Sequence, residues 1–188
     1  LDPKPKCIIV TGRAGAGKTT LSKELGRRLW MPVISRDEIK EGYVNTFGVK
    51  HDRLPGDTDL LVTNFFFETV NAYLTHKVSV VIEAAFQHKV WAPRISKIRE
   101  LSHPLIIICS IDVDIAAWRH LQRGLDDPER EFYHEDKRVS HYKATGEIGT
   151  PKPYEAPALD VETINVSTDG EYSPTLDEIV QVIRNKVV

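Results

Sequence analysis

Apolar residues along this chain fall into short runs of strand length, separated by stretches in which they recur at helical spacing. The first run is Cys7-Ile8-Ile9-Val10-Thr11, apolar and β-branched, and behind it Leu21, Leu25 and Leu29 repeat every four residues, as one helix face does. A strand and then a helix from about Lys18 to Trp30 are predicted. Pro32-Val33-Ile34-Ser35 predicts a short second strand entered through a proline. A polar, turn-rich loop over 48–58 then leads to a long helix from about Asp59 to Lys77. That helix carries Phe65, Phe66, Phe67 and Tyr73. These aromatics are assigned to the core, but one helix cannot hide three consecutive phenylalanines on a single face, so one of them is a candidate for lining the acceptor site.

Val78-Ser79-Val80-Val81-Ile82-Glu83 predicts a third strand that ends on a carboxylate, followed by a helix from about Trp91 to Leu101. Leu105 to Ile111 is nearly continuous in apolar residues, the signature of a strand covered on both faces. Asp112 or Asp114 starts the next helix, Ile115 to about Gly124. A highly charged stretch, helical over Phe132 to Tyr142, and a Gly- and Pro-rich stretch from Gly146 to Pro157 come next. Poor in apolar periodicity, residues 124–157 are expected to form a mobile lid. Glu162 to Val166 predicts a fifth strand. A helix from Pro174 to about Val187 follows, with Ser173 as its N-cap, Pro174 as its first residue, and Ile179, Val182, Ile183 and Lys186 at helical spacing.

Between the first strand and first helix stands Gly12-Arg13-Ala14-Gly15-Ala16-Gly17-Lys18-Thr19, which is G-x-x-x-x-G-K-T in its required strand-loop-helix setting. Glycines let backbone N–H groups turn inward around phosphate oxygens, and the helix N-terminus adds partial positive charge. Lys18 is expected on the β- and γ-phosphates of a nucleotide and the Thr19 hydroxyl on Mg²⁺, with Thr20 beside it. Four apolar residues in five before Glu83 match a Walker B strand, whose acid sits near the metal or the reacting groups.

The second strand also ends on candidate chemistry. Ser35 and Glu38 have capping-box spacing for a helix that starts there. Asp37 and Lys40 are left over, three apart and so on one helical face, at the strand's carboxyl end, where open α/β sheets bind ligands. Arg119 and Arg123 are one turn apart and project the same way.

Composition narrows the partners. The balance of 25 Lys+Arg against 27 Asp+Glu creates no strong field toward nucleic acid or an anionic membrane. Cys7 and Cys109 both lie in apolar runs and read as reduced core thiols, which points to the cytoplasm. No run approaches the about 20 apolar residues of a membrane helix. The polar start, Leu1 to Lys6, is unlike a signal peptide. His120, His134 and His141 lack metal-ligand spacing. No composition break divides residues 1–188, so one domain is expected.

The loop Gly12 to Thr19, the segment Val33 to Lys40, the strand ending at Glu83 and the arginine-bearing lid together resemble the P-loop kinases, nearest to polynucleotide kinase, chloramphenicol phosphotransferase and zeta toxin. The likeness covers nearly the whole chain. It implies a three-layer α/β P-loop NTPase fold with a parallel five-stranded sheet in the order 2-3-1-4-5. It makes Asp37 the general base, with Lys40 where polynucleotide kinases carry an arginine for the acceptor phosphate. Lys40 keeps the cation without the planar two-pronged grip, so a small-molecule acceptor is favoured over a nucleic-acid end. The resemblance further implies nucleotide contacts from Arg119 and Arg123, closure of Arg130 on the transferring group, and adenine near Thr168 to Glu171.

The expected activity is transfer of the γ-phosphoryl group of ATP, with Mg²⁺, to a hydroxyl-bearing acceptor, Glu83 orienting metal water or acceptor. A GTPase would want an N-K-x-D motif, which is missing from the sequence. A non-catalytic nucleotide-binding switch, the remaining rival, would need neither Asp37 nor closing arginines. The acceptor's identity and the oligomeric state do not follow from the sequence.

Overall fold

The computed structural model describes residues 3–134 and 137–185. Five parallel strands form one sheet in the order β2-β3-β1-β4-β5: β1 Lys6–Gly12, β2 Val33–Ser35, β3 Val80–Glu83, β4 His103–Ser110 and β5 Thr163–Ser167. The helices are α1 Lys18–Leu29, α2 Arg36–Phe47, α3 Thr58–Thr75, α4 His88–Leu101, α5 Val113–Asp126, α6 Arg130–Tyr133, α7 Lys137–Thr145 and α8 Leu176–Asn185. A short 3-10 turn over His51–Arg53 interrupts the loop before α3. The order is the one implied by the P-loop kinase resemblance.

Both sheet faces are buried, as near-continuous apolar strands require. Alternate residues of β1 point to opposite sides. Cys7 and Ile9 join Phe66, Phe67, Val70, Leu74, Trp91 and Ile98 under α3 and α4. Ile8 and Val10 join Leu21, Leu25, Ile179 and Ile183 under α1 and α8. Cys7 and Cys109 are free and buried, and burial pushes both thiols up to about 12, so neither serves as a nucleophile.

The phenylalanine triplet resolves in part against expectation. Phe66 and Phe67 pack in the core with Phe86 and Trp91, while Phe65 is 52% exposed beside Leu60 and Leu61. None of the three lines the cleft described below, because α3 meets that cleft through its first turn only.

Two predicted caps are replaced. Ser35 stands at the N-cap position of α2, yet its side chain makes no cap bond. Its hydroxyl donates to Glu83, and Glu38 instead pairs with Lys23 at 3.0 Å. Ser173 is held in a backbone bridge with Ser167, its N–H donating to Ser167 O at 3.2 Å and its carbonyl accepting from Ser167 N at 2.8 Å. The reciprocal cap of α8 is therefore made by Thr175 and Glu178: Glu178 N donates to Thr175 Oγ1, and Thr175 N donates to Glu178 Oε2 at 2.8 Å. Of the two candidates before α5, Asp112 is the cap, accepting from Asp114 N at 2.8 Å and Ile115 N at 3.1 Å. Lys186 and Val187, expected in the last helix, lie outside the described residues.

Register sets the site. Val10 and Ser35 both pair with Glu83, and Gly12 pairs with Cys109, so the carboxyl ends of β2, β3, β1 and β4 are level at one edge of the sheet. Among the described residues no helix is long and apolar enough to cross a membrane.

Candidate active site

The loop after β1 wraps the start of α1. Gly15, at φ 83°, is pressed against α5: a β-carbon there would stand 2.1 Å from the Ala116 carbonyl oxygen. Gly17, at φ 77°, ends the loop as the N-cap of α1, so Lys18, Thr19 and Thr20 occupy that helix's first turn. Unpaired N–H groups and the positive end of the helix dipole meet at this turn. Lys18 is buried and its Nζ donates to the Arg13 carbonyl at 2.9 Å. Burial lowers its pKa, and the charges of Glu83 and Asp37 work in the opposite direction. Gly12 and Ala16 are buried behind the loop rather than on the cleft, and Arg13 faces a neighbouring cavity.

Lys18, Thr19 and Thr20 share a cleft of 470 Å³ with Asp37, Lys40, Glu83, Arg119, Arg123 and Arg130. Residues predicted from five separate stretches of sequence are thus brought to one place. Glu83 is 3% exposed and accepts from the Ser35 hydroxyl at 2.9 Å. Burial raises its pKa, opposed by the Lys18 charge and the Ser35 bond. Asp37 is half exposed and pairs with Arg36 at 3.5 Å.

Lys40 and Arg36 are oriented by Asp59, from the first turn of α3. Asp59 Oδ1 accepts from Arg36 Nη2 at 2.7 Å and from Lys40 Nζ at 2.8 Å. Burial works to raise the Asp59 pKa but is outweighed by these two bonds and the cations' charge, which hold it at about 2. Buried Arg36 Nε has no hydrogen-bond partner among the described residues.

The other wall is α5 and the segment after it. Arg119 Nη1 donates to the Thr168 carbonyl at 2.9 Å. Thr168 is itself buried, with its hydroxyl donating to the Ala16 carbonyl at 3.0 Å. This ties the turn after β5, where a nucleotide base is expected, to the phosphate loop and to α5. The charged segment leans on α2 and the loop after it: Lys50 pairs with Glu131 at 2.9 Å, and His134 Nε2 lies 2.7 Å from Glu41 Oε1. Its far end is pinned to the body. His88 N donates to the Glu155 carbonyl at 3.1 Å, and Tyr154 OH bonds to Thr11 Oγ1 and to Phe86 O.

Sequence reasoning gave no role to Arg36 or Asp59, and it weighed His120 and His134 only as metal ligands. Asp59 lies on a different element from its partners, and a lone acid in a first helical turn resembles dipole compensation. Arg36 could have been found from its neighbour Asp37. The cleft positions of the two histidines depend on how the charged segment folds back, which periodicity does not specify.

A family model described as an AAA domain matches residues 7–145. No curated protein matches the sequence. Among solved structures, a candidate kinase of Chloroflexus aurantiacus j-10-fl is 23% identical, with a TM-score of 0.78 over 98% of this chain and 100% of that one. Mycobacterium tuberculosis APS kinase CysC, in complex with AMPPNP and APS, is 16% identical with a TM-score of 0.62 over 97% of each chain. A chain of the Pnkp1/Rnl/Hen1 RNA repair complex is 15% identical with a TM-score of 0.57, over 85% of this chain and 52% of that one. At these identities the likeness is one of fold, and the fold is that of the P-loop kinases.

Proposed function

Since this chain belongs to the AAA domain family, we propose that it is a Mg·ATP-dependent phosphotransferase that moves the γ-phosphoryl group to a hydroxyl of an acceptor. The observation that carries this reading is the convergence of Lys18, Thr19, Asp37, Glu83, Arg123 and Arg130 on one cleft. Phosphoryl transfer asks a protein for positioning and charge neutralisation, and these side chains supply both.

The loop's glycines and the first turn of α1 fit a polyphosphate, and Arg119 with Thr168 fits the base end of a nucleotide. Thr19 and Glu83 are the oxygen donors that suit magnesium. Mg²⁺ is usually held by one or two carboxylates together with substrate phosphates and water. Among the described residues no cluster of three His, Cys, Asp or Glu forms an all-protein cage. Held there, magnesium would supply charge neutralisation to the donor phosphates.

In the transfer, Asp37 takes the proton of the acceptor hydroxyl. Lys18 holds the donor end, and Arg123 and Arg130 offset the charge that develops on the moving group. Arg36 and Lys40, oriented by Asp59, line the cleft at the acceptor's reacting end. Residues 124–157 close over the cleft within a single domain spanning 1–188, hinged where Tyr154 and Glu155 are tied down.

The test is ADP release by the purified protein with Mg·ATP and a panel of hydroxyl compounds. Release stimulated by one class of acceptor supports the reading. ATP binding without acceptor-dependent turnover anywhere in the panel would instead favour a nucleotide-binding switch.

A further inference from the structure

A second cavity, of 320 Å³, opens beside the phosphate cleft, and the two meet at Ala14, Ala85 and His120. Its place relative to the donor follows from Lys18. That side chain reaches the β- and γ-phosphates in loops of this kind, and here its ammonium lies 2.9 Å from the Arg13 carbonyl. A donor bound with its γ end at Lys18 and its base end toward Arg119 and Thr168 would hold the transferring group in the cleft that this cavity joins at Ala14 and Ala85.

Its chemistry is of two kinds. Val113, Ala117, Pro153 and Tyr154 form an apolar wall. Tyr154 is fixed there by its hydroxyl, 3.2 Å from Thr11 Oγ1 and 3.3 Å from Phe86 O. Arg13 and Lys152 bring cations, Arg138 is engaged with His120, and none of the described lining residues is acidic. A sugar would set its many hydroxyls against alanine, valine and proline, leaving them unpaired at a cost for each. The volume is about twice the roughly 150 Å³ of an apolar cavity that holds benzene, which suits one ring with substituents and is too small for a polynucleotide end.

We infer that the acceptor is a small, single-ring hydroxy compound carrying an anionic group, a carboxylate or a phosphate, with its ring in this cavity and its hydroxyl at the Ala14–Ala85 neck. The inference rests on the phosphotransferase reading. In the step it serves, the acceptor oxygen forms a bond to the γ-phosphorus. The bond from that phosphorus to the bridging oxygen breaks, ADP leaves with the electron pair, and Asp37 takes the hydroxyl proton.

The probe is 3-(hydroxymethyl)benzoate, compared with the neutral 3-(hydroxymethyl)benzamide, by calorimetry on the full chain and on Lys152→Glu. The benzoate is expected to bind wild type about tenfold tighter than the amide, and to lose about that factor in the variant, as a charge-assisted contact requires. Ala117→Leu, which narrows the cavity without changing charge, is expected to weaken both probes alike. Equal binding of benzoate and benzamide, no benzoate binding at millimolar concentration, or displacement of benzoate by a 5′-hydroxyl oligonucleotide would each overturn the inference. Mg·ATP binding to wild type is measured in parallel. If it is absent, the phosphotransferase reading falls. If it is present without the anion preference, only the acceptor assignment falls.

Discussion

The Ser35 hydroxyl donates to Glu83 Oε2 at 2.9 Å across neighbouring parallel strands, and both residues are buried. A residue placed to cap a helix instead satisfies the acid beside the phosphate loop. Loss of that donor leaves part of a buried carboxylate unpaired, at a cost of about 1–3 kcal/mol. Ser35→Ala is therefore expected to lower unfolding stability by that amount. A double-mutant cycle with Glu83→Gln should show strong coupling by denaturant unfolding. Additive effects in the cycle would return Ser35 to a helix-capping role.

Gly15→Ala tests the tight approach of loop and α5. The new β-carbon would meet the Ala116 carbonyl at 2.1 Å, and φ at Gly15 is 83°, so both space and backbone oppose it. Neither atom is the end of a flexible side chain, so α5 or the loop must shift. Thermal unfolding should show a lower midpoint, and calorimetry a loss of Mg·ATP affinity. An unchanged midpoint with unchanged affinity would mean that the loop tolerates displacement from α5.

Asp59 gives a pH-dependent prediction. Its folded pKa, about 2, lies below the ordinary 3.8, so its stabilising contribution is complete above 3.8 and is lost as the pH falls toward 2. Its side chain is 68% exposed, so solvent screening limits the contribution to about 0.2–1 kcal/mol. Asp59→Asn should be less stable than wild type by that amount at neutral pH. The gap should close as the pH falls between those values, in denaturant melts across pH. A constant gap would show that Asp59 contributes something other than charge.

Much of the site was legible because its chemistry is contiguous. Gly12 to Thr19 carries the whole phosphate-loop motif in eight adjacent positions with strand and helix on its flanks. Asp37 and Lys40 stood out as residues that capping left unexplained, and Glu83 as the acid at the end of an apolar run. What failed shared one physical cause: local spacing has more than one solution. Ser35 and Glu38 fit a capping box, yet the neighbouring strand offers Ser35 a buried carboxylate. Ser173 and Pro174 fit a helix start, but Ser173 is taken by the bridge to Ser167. Asp59 acquires its role only when α3 packs beside α2, which no local pattern encodes.

The lid reading predicts fast hydrogen exchange over about 127–147 in the free protein and protection on binding Mg·ATP. Among its described residues that stretch buries little beyond Val139, and it reaches α2 and the loop after it through the exposed Lys50–Glu131 pair and the His134–Glu41 contact. Residues 154–161, tied to the body through Tyr154, Glu155 and Ala158, should exchange slowly in both states. Equal protection of 127–147 with and without nucleotide would exclude a closing motion. Glu131→Gln, which weakens the link to Lys50, should raise exchange in the free protein only.

The general-base assignment of Asp37 competes with a plainer one, a carboxylate in the first turn of α2 favoured by the helix dipole. The dipole role is worth about 0.3–1 kcal/mol and leaves turnover intact, whereas general-base help is typically worth about 10²- to 10⁴-fold in rate. Asp37 lines the cleft with Lys18 and is half exposed, so neither burial nor a network of bonds demands a carboxylate there. Asp37→Asn keeps the size and removes the basicity. Stability and Mg·ATP affinity should stay close to wild type, while acceptor phosphorylation in a coupled ADP-release assay should fall by at least about 10²-fold. Turnover within a few-fold of wild type would move the base elsewhere in the cleft. Glu83 is then the next candidate, since its raised pKa and its place beside Lys18 give it both proton affinity and access.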